Sequence, residues 1–74
     1  VLTDLFETAL NRHKEGKLAE AETLYRQVLA ANPDHPYANN NYAILLRAQR
    51  RWDDAVACYR RAVRANPEDA HVLN

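Results

Sequence analysis

A displacement of 34 residues lays the chain on top of itself. Leu18, Ala21, Leu24, Tyr25, Val28, Leu29, Asn32 and Pro33 return as Trp52, Ala55, Cys58, Tyr59, Ala62, Val63, Asn66 and Pro67, and Ala9 returns as Ala43. A fixed period of this size decides the architecture before any single residue does, because each copy buries its apolar face only against its neighbours. Within a copy the apolar residues fall three, four and seven apart, which puts them on one stripe of an amphipathic helix.

The boundaries carry their own chemistry. Pro33 and Pro67 lack the amide hydrogen that a continuing helix needs, so the helices before them end and each proline closes a unit. Pro36 suits the first position of a helix after His35, and Asp69 is placed to cap a later one. Gly16 lies between two helices where a positive φ is expected. Arg50 is its equivalent, and a side chain in that conformation costs about 1 kcal/mol. These marks predict helices over about 3–15, 18–31, 36–49 and 52–65, with a fifth beginning near Ala70. Connections this short force antiparallel hairpins, and hairpins at a constant period stack into an all-α solenoid.

Charge and composition narrow the function classes. Ten basic and ten acidic residues cancel, which removes the electrostatic footprint of a nucleic-acid or anionic-membrane binder. The halves differ: residues 1–35 hold four basic and six acidic residues, residues 36–74 six and four. No apolar run reaches the roughly 20 residues that span a bilayer. The single cysteine, Cys58, forms no internal disulfide and suits a reducing, cytoplasmic setting. A start at Val1 without methionine and a stop just after a helix-start signal read as a piece of a longer protein.

With Gly16, Leu18, Ala21, Tyr25 and Pro33 in one copy and Trp52, Ala55, Tyr59, Ala62 and Pro67 in the next, the chain resembles the tetratricopeptide repeat family over about residues 2–73. The resemblance implies a right-handed α-solenoid, with repeat 1 over about 2–35, repeat 2 over about 36–69 and the start of a third at 70–74. It places Trp52 and Tyr59 in the core. Tyr42, Ala43 and Leu46 fill the signature of the second unit's first helix, whereas the first unit has Thr8, Ala9 and Arg12. Arg12 in a nominally buried place implies either an outer, solvent-facing cap or a rotated helix that buries Leu2, Leu5, Phe6, Ala9 and Leu10. The run GKLAEAETLYRQVLAANPDHPYANNNYAILL also resembles the repeats of O-linked N-acetylglucosamine transferase-like proteins, where an asparagine recurs in the place of Asn41; Glu7 stands there in the first unit.

By the family's geometry the first helix of each unit lines a concave groove. On this chain that groove holds Phe6, Leu10 and His13, with Thr3, Glu7 and Lys14 beside them, then Tyr37, Asn40, Asn41, Ile44 and Arg47, with Ala48 beside them. Asn40 and Asn41 present donors and acceptors that suit the amides of an extended peptide, and Phe6, Tyr37 and Ile44 offer apolar anchors. The carboxylate-clamp form of the fold needs lysine and asparagine in the first inner helix. Phe6 and Leu10 stand there instead, which argues against a chaperone adaptor of that type.

Other residues receive plainer readings. Arg47, Arg50 and Arg51, then Arg60, Arg61 and Arg64, read as a solvated face, with cations at a helix end favoured by the helix dipole. His13, His35 and His71 are too widely spaced for a zinc motif, Cys58 sits on a packing stripe, and the chain has no serine, glycine-rich loop or paired-acid constellation. No cofactor, metal or catalytic activity is expected. The leading expectation is a protein–protein interaction scaffold that holds a protein or peptide segment. Two alternatives are the substrate-selecting arm of a larger glycosyltransferase and a self-association module that forms a homo-oligomer through the uncapped C-terminal repeat face. The last follows because arrays usually need about three units.

Overall fold

The structure, a computed structural model, describes residues 2–65, with side chains from Asp4 onward. Four helices follow in order: α1 (Leu2–Lys14), α2 (Leu18–Ala31), α3 (Pro36–Ala48) and α4 (Trp52–Ala65). Adding 34 to the bounds of α1 and α2 returns those of α3 and α4, so the period seen in the sequence is the period of the fold. The expected cap at Asp69 and the helix near Ala70 lie outside the described residues.

Each hairpin turns through the same backbone device. Gly16 has φ 79° and Arg50 has φ 62°. The amide of Lys17 donates to Arg12 O at 2.9 Å and that of Gly16 to His13 O at 3.0 Å; Arg51 to Leu46 O and Arg50 to Arg47 O repeat the pair, both at 2.9 Å. This is the Schellman arrangement, in which a left-handed residue lets the chain satisfy carbonyls that the helix end would leave bare. Glycine takes that conformation freely. Arg50 takes it against the clash of its Cβ.

α1 packs on α2 and α3 on α4, and the hairpins meet where α3 rests on α2 and touches α1. Six side chains of α3 are buried, against three each in α2 and α4, which makes α3 the central helix. Ala9, Ala21, Ala43 and Ala55 are buried where helices cross, and their small side chains let the backbones approach. Tyr25, Tyr42, Leu45, Leu46 and Cys58 complete one core that runs through both hairpins. In α1, Ala9 is buried and Leu5, Phe6 and Leu10 are half-buried; Arg12 is half-buried as well and pairs with Glu15 at 3.0 Å. Trp52 departs from its expected place in the core and is 55% exposed. Its counterpart Leu18, at the same place in the first hairpin, is half-buried and packs against the core.

The hairpins are joined by a polar knot. The Tyr42 hydroxyl donates to a Glu22 carboxylate oxygen at 2.6 Å, Arg51 donates to the same oxygen at 2.9 Å, and Arg26 to it at 3.1 Å. Arg26 Nε also donates to the Tyr42 hydroxyl at 3.1 Å, and the Tyr25 and Tyr42 rings stack with centroids 5.9 Å apart. Arg51 is thereby a structural link, not part of a solvated face, and it follows directly on the strained turn at Arg50. Burial pushes the Glu22 carboxyl up, but hydrogen bonds from Tyr42 and Arg51 and the charges of Arg51 and Arg26 outweigh it and hold the group below its ordinary range.

Two outcomes follow. Arg50→Gly removes the left-handed strain and raises stability by up to about 1 kcal/mol, part of it offset by the freedom glycine gains when unfolded; urea unfolding of the two proteins measures the difference. Because the folded Glu22 carboxyl lies below its unfolded value, its contribution is whole above the ordinary glutamate range and is lost as pH falls through the folded one. Glu22→Gln removes that acid-sensitive share, so its urea midpoint falls less steeply on acidification than that of the parent chain.

Candidate functional site

The sequence-predicted groove residues lie on α1 and α3, the two helices that sit side by side as first members of their hairpins. Their surroundings differ widely. Tyr37 is 53% exposed in the first turn of α3. Phe6, half-buried on α1, reaches across to His35, with ring centroids 5.0 Å apart, and His35 meets Tyr37 edge-on at 6.2 Å. Three rings from two repeats therefore form an aromatic ledge where α1 meets the start of α3.

His35 belongs to this ledge although the sequence marked it only as the residue before Pro36. Its Nδ1 accepts the Ala38 amide at 3.1 Å, so the imidazole caps α3 while its ring plane packs against Phe6 and Tyr37. A histidine is a rare cap, and the spacing of the chain gave no sign that Phe6 stands opposite it.

The three consecutive asparagines do three different things. Asn39 is fully buried: its amide donates to Pro33 O at 2.9 Å and His35 O at 3.1 Å, and its oxygen accepts from Arg61 Nε at 3.2 Å. It ties the inter-repeat loop to α3 and α4, and Arg61 with it. Asn40 is half-buried, and its Oδ1 is enclosed with no partner among the described residues. Asn41 is half-buried at the surface and donates one amide hydrogen to Tyr37 O at 2.8 Å, which leaves its oxygen and its second hydrogen available.

Of the remaining candidates, Leu10 and Ile44 are half-buried and Arg47 is exposed. His13 turns toward α2: its Nδ1 lies 2.9 Å from the Tyr25 hydroxyl, and the two rings meet edge-on. Burial lowers the His13 pKa and pushes the Tyr25 phenol up to about 12, so both groups stay neutral near pH 7. The structure thus links Phe6, His35, Tyr37 and Asn41 into one continuous surface and gives His13 a contact inside its own hairpin.

Cys58 is buried, and its thiol accepts a weak hydrogen bond from Arg61 at 3.5 Å. Burial pushes its pKa up, which suits a packing residue and not a nucleophile.

A family model described as tetratricopeptide repeat matches residues 12–74. In the same comparisons no curated protein and no solved structure matches the chain. With two hairpins whose helix bounds repeat at 34 residues, the paired Schellman turns and the match over most of the sequence, the chain belongs to the tetratricopeptide repeat family.

Proposed function

We propose that the α1–α3 face binds an extended segment of another protein, held on the Phe6–His35–Tyr37 ledge and paired along its backbone with Asn41. Repeats of this family commonly mediate protein–protein interaction. The observation that carries the finer reading is Tyr37: a large aromatic side chain, 53% exposed, beside two further rings and one turn before an asparagine with unused hydrogen-bonding groups. Exposed aromatic residues supply contact area at low entropic cost, and a free amide oxygen and hydrogen match a peptide group of any sequence. Asn40, Ile44, Leu10 and Arg47 extend the same face, with Arg47 offering an exposed cation to an acidic residue of the segment.

The same face would select protein substrates if the repeats served a larger glycosyltransferase. Of the two units in this sequence, the second has Asn41 in the place where that reading calls for asparagine, and the first has Glu7.

A displayed random-peptide library panned against the full chain supplies ligands for the test. Tyr37→Ala and Asn41→Ala are each expected to weaken the selected peptides about tenfold, the lower range of an interface hot spot. Circular dichroism and the unfolding midpoint stay close to those of the parent. Loss of binding confined to Gln27→Ala or Arg60→Ala, on the outer helices, would overturn the assignment to this face.

A further inference from the structure

Where the two hairpins meet, α3 packs on both α2 and α4 and leaves a cleft between those two helices. The cleft measures about 280 Å³, and its walls come from both hairpins. Arg26 reaches it from α2, Arg51 from the turn between α3 and α4, and Arg61 from α4. Tyr42, Leu46 and Cys58, all buried, form its floor.

The three guanidinium groups are fixed from below. The Tyr42 hydroxyl accepts from Arg26 Nε and Glu22 from its Nη2; Glu22 also accepts from Arg51 Nη1. The fully buried Asn39 accepts from Arg61 Nε. Nη1 of Arg26, Nη2 of Arg51 and Nη1 of Arg61 make no hydrogen bond among the described residues, so each group keeps a donor while its orientation is set. The charges do not cancel. Asp54, the one acid that lines the cleft, is exposed and stands 3.6 Å from Arg51. Glu22 lies in the knot, and Arg61 makes no ion pair among the described residues. Three cations, Arg26, Arg51 and Arg61, thus meet two carboxylates, Glu22 and Asp54.

We infer that this cleft binds a phosphate group, either the free ion or one carried on a protein side chain. Guanidinium groups pair with oxyanions through charge-assisted hydrogen bonds, and donors arriving from three separate elements suit a tetrahedral group with three terminal oxygens better than a planar carboxylate with two. A phosphate monoester carries a charge of about −1.5 to −2, which offsets the excess cation. Ordering three long side chains around an anion ordinarily costs entropy; here the knot and Asn39 have ordered them beforehand. The site lies between α2 and α4, and it does not depend on what the α1–α3 face binds.

The test is a titration of the full chain with sodium phosphate against sodium chloride at matched ionic strength, read from the arginine Nε–H signals in proton–nitrogen NMR. The signals of Arg26, Arg51 and Arg61 are expected to shift together and saturate with a Kd on the order of 1 mM, while those of Arg47, Arg50, Arg60 and Arg64 stay in place. Arg61→Gln is expected to weaken binding about tenfold. Asp54→Asn, an exposed change outside the core, removes the cleft's own acid and is expected to tighten binding about threefold or more, a gain that misfolding cannot produce. The tripeptide Gly–phosphoserine–Gly, titrated in parallel, separates the sources: tighter binding than inorganic phosphate marks a side-chain phosphate, weaker binding the free ion. Equal shifts at all the arginines, which mark general screening, would overturn the proposal. So would the lack of a saturable shift, or an affinity that Asp54→Asn leaves unmoved.

Discussion

Glu22 is the point at which two hairpins become one molecule. Its carboxylate gathers the Tyr42 hydroxyl from α3, Arg51 from the second hairpin's turn and Arg26 from its own helix. A half-buried carboxylate is costly unless donors meet it, and here three donors converge on one of its oxygens. Below the knot, Tyr25 stacks on Tyr42 and continues into the alanine-lined crossings of both hairpins. The polar knot sets the register, and the apolar contact beneath it supplies the area. Because α1 and α3 share one face only in that register, the aromatic ledge from Phe6 through His35 to Tyr37 depends on it too.

The strained turn at Arg50 belongs to the same arrangement. Left-handed geometry at residue 50 starts α4 at Trp52 and brings Arg51 to Glu22. At the first hairpin the equivalent pair is Gly16 and Lys17, and among the described residues Lys17 pairs with Glu15 alone, at 3.8 Å. The second repeat thus keeps a side chain where glycine would be cheaper, and its neighbour links the two repeats.

Much of this was legible in the sequence because local chemistry decided it. Prolines, the 34-residue displacement and the position of Gly16 located all four helices to within a residue at each end, and they singled out Arg50 as the equivalent left-handed position. What stayed hidden depends on neighbours far along the chain. Asn39, Asn40 and Asn41 are alike on paper, and only the loop carbonyls and Arg61 separate the buried one from the other two. His35 gained a role from Phe6, 29 positions earlier, and Arg51 from Glu22, also 29 positions earlier. Trp52 shows the reverse failure: its place in the repeat signature pointed to the core, but the ring is 55% exposed where its counterpart Leu18 packs against the core.

The most direct test of the junction is a double-mutant cycle between Glu22 and Tyr42, using Glu22→Gln, Tyr42→Phe and the pair, each followed by urea unfolding. If the knot couples the repeats, the two changes are non-additive by roughly 0.5–3 kcal/mol, the range found for residues in one hydrogen-bond network. All four proteins then unfold in a single transition. Additive effects, or a hairpin that melts separately in the parent chain, would contradict the account.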